Sequence, residues 1–234
     1  MGTLVTYGLE GSIATITMDD GKANVLSLGM LAEINAALDQ AMADEAVVML
    51  TGRDGMFSAG FDLGVLRAGG DDAAAMLNGG FELAARLLAF PAPVLIVCTG
   101  HAIAMGVFLL LSGDYRIGAD GPYKITANEV ALGMTMPWTA VAICRQRLAP
   151  SHFHRTVVLA EVFTPAGAVD ADILDRVVPA AELHDAARGT VEWLAKLDMK
   201  AHAITKMRTR EHALPAIRAA IEVDDAAFRA LRSG

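Results

Sequence analysis

A chain of 234 residues with 27 Asp and Glu against 19 Lys and Arg carries a formal charge of −8. No cluster of basic residues is dense enough to follow a phosphate backbone, which argues against a nucleic-acid partner. With 54% hydrophobic residues and a mean hydropathy of +0.41, the chain can fill one domain core and leave apolar surface over for an oligomer interface.

The apolar excess is scattered. Its densest run, Ala102 to Leu111, is interrupted by Gly106 and closed by Ser112, Gly113 and Asp114. A membrane span needs about 20 apolar residues, so no membrane association is expected. The first residues lack the charged and apolar regions of a secretory leader, and a cytoplasmic location is the expectation. Cys98 and Cys144 lie in apolar surroundings and read as two buried thiols, not a disulfide.

Leu4 to Tyr7 and Ile13 to Met18 alternate as strands, with a turn at Glu10-Gly11. After a loop at Asp19 to Lys22, Ser27 reads as the N-cap of a helix with Leu28, Leu31, Ile34, Leu38 and Met42 on one face. Val47 to Leu50 is a short buried strand, and Arg53 to Leu63 a loop. A helical tract then runs from Ala73 to Phe90, stopped by Pro91 and Pro93. Val94 to Cys98 is another buried strand, leading through Thr99-Gly100 into an apolar helix that ends near Asp114. Tyr115 to Ile117 and Tyr123 to Ile125 read as strands. From Thr139 helical patterns dominate, broken at Pro150, Pro165 and Pro179, and the remainder from Leu183 is helical. The basic run Lys206, Arg208, Arg210 reads as a solvated helix face. The pattern is an α/β core with a helical C-terminal extension.

Two segments carry chemistry. Phe57-Ser58-Ala59-Gly60-Phe61-Asp62-Leu63 and Thr99-Gly100-His101-Ala102-Ile103-Ala104-Met105-Gly106 each follow a buried strand and open a helix. Free N–H groups at a helix start favour developing negative charge. Two such loops facing each other can place two donors on one oxygen, forming an oxyanion hole. Taken singly, each is more often a tight strand-to-helix turn. Neither matches a Walker A loop, the three-glycine dinucleotide fingerprint or a nucleophile elbow. His152 and His154 lack neighbouring Cys or acidic ligands, and no metal site is expected.

Four segments, in order, resemble the enoyl-CoA hydratase/isomerase (crotonase) superfamily: Met56 to Leu63, Thr99 to Gly106, Gly113 to Asp120 and Asn128-Glu129-Val130-Ala131-Leu132-Gly133. The resemblance covers essentially the whole chain. It implies a spiral of ββα units over residues 1–182, which bind and transform acyl-CoA. Residues 183–234 would be a helical region that oligomerises and covers the active site. It implies an acyl-CoA thioester substrate, a homotrimer or hexamer, and no cofactor apart from the coenzyme A of the substrate. The thioester carbonyl would be held by the N–H groups of Phe61 and Met105. The adenine end would lie near Lys22, Ala23, Ser58 and Ala59. Gly60, Asp62, Leu63, Gly64, Gly106, Phe108 and Trp138 would complete the substrate site, with Asp62 capping a turn and Trp138 walling the acyl tunnel or packing in the core. Asp114 is expected to cap a helix end.

The departures from the family pattern decide the expected chemistry. Hydratases of this superfamily carry two catalytic glutamates. One position matches Glu129; the other is occupied by Phe108, whose ring transfers no proton. A lone Glu is more often a capping or surface carboxylate, but the aligned segment reverses that balance for Glu129. One carboxylate suffices to remove a proton from one carbon and return it two carbons away, and the segment around Glu129 resembles enoyl-CoA delta isomerases. Burial is expected to raise its pKa toward neutrality. Two alternatives remain: a hydratase that recruits a second acid, with Glu82 the candidate, or a non-catalytic acyl-CoA binding protein. For Glu82, pairing with Arg86 one helical turn away is the plainer expectation.

Overall fold

The computed structural model describes residues 2–230. A hairpin opens the chain: β1 (Val5–Glu10) pairs antiparallel with β2 (Ile13–Met18), from Val5 opposite Met18 to Glu10 opposite Ile13. Ser27 caps α1 (Leu28–Ala43), its side chain accepting from the Met30 amide. Leu31, Ile34 and Leu38 are buried as expected, whereas Leu28 and Met42 at the two ends turn outward. The chain continues through β3 (Val47–Thr51), β4 (Gly55–Ser58), α2 (Leu63–Ala68) and α3 (Gly70–Ala89). Next come β5 (Val94–Cys98), β6 (Gly100–Ile103), α4 (Met105–Leu110), β7 (Tyr115–Asp120) and the two-residue β8 (Ile125–Thr126).

The second half contains α5 (Trp138–Arg145), α6 (Pro150–Val157), α7 (Pro165–Asp170) and β9 (Arg176–Pro179). It ends with α8 (Leu183–Leu194), α9 (Met199–Thr209) and α10 (Ala213–Ala230). Pro150 and Pro165 start helices, where the missing N–H costs nothing.

Two sheets result. The larger has the order β1-β2-β3-β5-β7-β9, parallel from β2 onward; the smaller is β4-β6-β8, wholly parallel. Three strands, two of the smaller sheet and one at the edge of the larger, differ from the sequence expectation. β4 and the start of β6 lie in stretches read as loops, because glycines and short length mask their pairing. β9 was hidden in a tract read as helical; it is four residues long, and Pro179 ends it.

Both faces of the larger sheet are covered, which explains the continuous apolar runs of β3 and β5. Val94, Ile96 and Cys98 face the main core with residues of α1, α3, α4, α5 and α10. Leu95 and Val97 alternate to the other face, where Leu183, Ala187, Val191 and Leu194 of α8 cover them. In the C-terminal region α8 thus packs directly on the sheet, and α10 on α3 and α5.

Candidate active site

The smaller sheet is what assembles the site. β4 leads to Phe61, β6 to Met105 and β8 to Glu129, and because the three strands are parallel all three residues emerge at the same end. The pairing sets Gly55 beside Gly100 and Met56 beside His101, while Ile103 lies beside Thr126.

The segments beyond β4 and β6 touch. A methyl group placed on Gly60 would lie 3.0 Å from the Ala104 Cβ and 3.2 Å from the Met105 nitrogen. Gly60 also has φ of +86°, a conformation that side chains resist. Gly106 sits against the Ser58 carbonyl. Across the gap, Ala104 adopts φ of 52° with no glycine to ease it, held by its amide donating to the Thr126 carbonyl at 2.9 Å. Met105 opens α4, so its amide has no intrahelical acceptor. Around Phe61, Ala59 N–H donates to Ala23 O, Gly60 N–H to Ser58 Oγ, and Leu26 N–H to Gly60 O. Among the described residues no acceptor meets the Phe61 amide. Two free amides this close can hold one carbonyl oxygen as it gains negative charge.

A clamp that the sequence reading missed fixes the first segment. Asn24 is fully buried at φ of 49°. Its side-chain amide donates to the carbonyls of Met18, Met56 and Phe57, and its own carbonyl accepts from Ser58 Oγ at 2.8 Å. Asp20 accepts in turn from the amides of Lys22, Asn24 and Val25, which holds its carboxyl below the usual range despite burial acting the other way. Asp-Asp-Gly-Lys was legible as a turn, and an Asn two residues on was the available hint, since Asn tolerates positive φ.

Glu129 begins a single 3-10 turn, Val130–Leu132, and is 8% exposed. Its Oε2 has no hydrogen-bond partner. Burial pushes its pKa up to about 7, against a smaller opposing backbone hydrogen bond. The buried Cys144 thiol of α5 is near enough for the Glu129 charge to add to the burial that raises its own pKa. Cys98 and Cys144 are both buried free thiols.

The other expected residues are distributed unevenly. Ser58 and Gly60 are buried and Ala59 half-buried within the first segment. Ala23 lies against it through the Ala59 bond, and Lys22 is exposed on the same turn. Asp62 caps α2, accepting from Gly64 and Val65 amides, while Leu63 and Gly64 are exposed at its start. The Phe61 ring packs on the bare Cα of Gly80 and edge-on to Phe81 at 6.1 Å. Phe108 is 1% exposed in the main core.

Three expectations are corrected. Glu82 pairs with Arg218 of α10 on the surface, not with Arg86, which reaches Asp39 and Asn35 on α1 instead. Trp138 is 66% exposed and does not pack in the core; it borders an apolar groove between α5 and α10 whose lining includes neither Glu129 nor the two amide segments. Lys206 and Arg210 are buried, because Asp114 meets both and is the centre of an ion cluster, not a helix cap.

A model of the family described as enoyl-CoA hydratase/isomerase matches residues 8–233. The chain belongs to that family. An enoyl-CoA hydratase/isomerase family protein from Pseudomonas syringae shares 44% identity over 96% of this chain and 98% of its own, with a TM-score of 0.94. Human mitochondrial enoyl-CoA delta isomerase 1 is 30% identical over 215 residues, 89% of this chain and 70% of the human protein. A Mycobacterium tuberculosis homologue is described in one structure as an enoyl-CoA isomerase, at 45% identity over 97% of this chain and 99% of that one, with a TM-score of 0.92. A second structure describes it as a probable enoyl-CoA hydratase, at 44% identity, 98% coverage of both chains and a TM-score of 0.94. The crotonase fold implied by the four motifs is therefore present, and the chain is an isomerase/hydratase-type enzyme. Both reaction names occur among its relatives, so the choice of reaction rests on its own residues.

Proposed function

We propose that this protein shifts the double bond of an enoyl-CoA, with Glu129 as the only proton carrier and the Phe61 and Met105 amides as the oxyanion hole. The carboxylate removes a proton from C2 of a 3-enoyl thioester. The resulting dienolate places negative charge on the thioester oxygen, where the two amides hold it. Protonated Glu129 then returns the proton to C4, leaving a 2-enoyl thioester. No atom is gained or lost, and coenzyme A enters only as part of the substrate.

The observation that carries this reading is Glu129 itself: a buried carboxyl with an unpartnered oxygen and a pKa near 7. A group poised there can both accept and return a proton near neutral pH. Phe108 at the second acid position and the Glu82–Arg218 pair support a mechanism with one carboxylate. In this reading Lys22, Ala23, Ser58 and Ala59 lie along the adenine end of coenzyme A, and the apolar groove beside Trp138 suits burial within a homotrimer or hexamer. Two free thiols fit a reducing, cytoplasmic setting.

The test is conversion of 3-enoyl-CoA to 2-enoyl-CoA, together with proton exchange at C2 and C4 in deuterated water. Wild type should do both and Glu129→Gln neither. Equal behaviour of the two proteins would sink the proposed role. Hydration of crotonyl-CoA at comparable rates would favour a hydratase, and tight acyl-CoA binding with no exchange at either carbon a silent binder.

A further inference from the structure

Where β5 and β7 begin, charged side chains line a cavity of about 440 Å³ beneath α9. Arg147, Lys206, Arg210 and His202 line it together with the carboxylates of Asp114 and Asp198, and the Arg116–Asp175 pair adjoins Arg147. Asp175 is taken by Arg116, which grips it through Nε at 2.8 Å and Nη2 at 2.6 Å and sends Nη1 to the Asp172 carbonyl. Asp114 is shared by Lys206 Nζ at 2.6 Å and Arg210 Nη2 at 2.8 Å, besides the Val94 amide. Arg147 has no carboxylate of its own: it donates to the Asp114 carbonyl at 3.1 Å and stands 3.9 Å from Asp175. His202 Nε2 is buried without a partner, 4.0 Å from Asp114. Asp198 lies on the exposed rim, where its carboxylate caps the Ala201 amide at the start of α9.

Lys206 and Arg210 share one carboxylate, Arg147 is a quarter exposed and makes a single hydrogen bond, and the buried His202 Nε2 makes none, so the cavity wall carries donors open to an anion. We propose that this cavity binds a phosphate-class oxyanion between Arg147 on one side and Lys206, Arg210 and His202 of α9 on the other. A guanidinium with free donors matches the paired oxygens of such a group. The volume exceeds one water's share of about 30 Å³ many times over, so a phosphomonoester fits as well as free phosphate. Cation crowding supports the assignment. Burial, and to a lesser degree Arg210, pulls the Lys206 pKa down to about 8 against the pull of Asp114. Arg147 falls to about 10 through burial and then Arg116. His202 is lowered by burial, with Lys206 and Arg210 adding to it. An added anion would oppose all three shifts.

The test is calorimetric titration of the whole protein with inorganic phosphate and with glycerol 3-phosphate, at constant ionic strength set by chloride. Saturable binding of phosphate is expected, at least tenfold weaker at pH 9 than at pH 7 and at least tenfold weaker in Arg147→Gln. Tighter binding of the ester than of free phosphate identifies a phosphorylated metabolite as the occupant, and the reverse identifies the free ion. If Arg147→Gln does not fold, Arg147→Lys, which keeps charge but loses the paired donors, should still weaken binding. No saturable heat, an equal response to chloride alone, or unaltered affinity in the Arg147 variants would overturn the assignment. Because Glu129 is not among the residues that line the cavity, Glu129→Gln should bind phosphate as wild type does, whatever becomes of its isomerase activity.

Discussion

Glu129 and Asp114 are both carboxylates largely removed from solvent, yet the fold treats them in opposite ways. Asp114 accepts from the Val94 amide, Lys206 and Arg210. Glu129 has an oxygen that meets no donor, and its proton is held up to about pH 7. At Asp114 buried charge fastens α9 to the sheet. At Glu129 a carboxyl is kept unsatisfied, at a cost to stability, and in the proposed reaction that lack of partners leaves it free to exchange a proton with a substrate.

The contrast predicts opposite outcomes for two similar substitutions. Glu129→Gln should lower the isomerase rate by about 10²- to 10⁴-fold, the usual worth of a general base. It should also stabilise the protein at alkaline pH. Because the Glu129 pKa is raised from 4.5 to about 7, its contribution favours the folded state fully below about pH 4.5 and is lost as pH rises through 7. The variant should therefore gain about 3 kcal/mol over wild type at pH 8, under about 1 kcal/mol at pH 5 and almost nothing at about pH 4, as read by denaturant titration. Wild-type activity should climb across the same interval and level off above it.

Asp114→Asn should do the reverse, losing about 3 to 5 kcal/mol because Lys206 and Arg210 stay buried without their counter-charge. A change below 1 kcal/mol would show that water already satisfies those cations. Gly60→Ala tests the two-amide geometry. Its new methyl would press on Ala104 and Met105 N, and displacing one donor should cost about 10²-fold in kcat while acyl-CoA binding changes less. The smallest effect is expected at Glu82. Its pair with Arg218 is half exposed, so Glu82→Gln should cost under about 1 kcal/mol and leave the rate within twofold. A large loss of rate there would restore a second acid and with it the hydratase reading.

Much of the molecule was legible before folding. The hairpin, the Ser27 cap, the α3 tract ended by its prolines and the buried β3 and β5 runs all follow from local rules of period, capping and turn chemistry. Glu129 and the two amide segments were singled out differently, by the resemblance of four ordered motifs to the crotonase superfamily, since taken singly each reads as an ordinary turn or a surface carboxylate. Less legible were β4, β6 and β9. They are short and contain glycine, proline or charge, and they exist as strands because a parallel neighbour supplies hydrogen bonds from far along the chain.

Charge partners were the least legible feature. Glu82 and Arg86 are one helical turn apart in sequence, yet each found a partner on a different helix, Arg218 and Asp39 respectively. Lys206 and Arg210 read as a solvated face until the fold laid α9 across Asp114. Sequence alone determined which groups the protein owns: two amide-bearing turns, one aligned glutamate and a phenylalanine in place of another. Only the tertiary structure decided which of its charges would be paired. Pairing and burial are set by neighbours 47 to 136 residues distant, as Arg86 with Asp39 and Glu82 with Arg218 show, and local periodicity carries no information about such contacts.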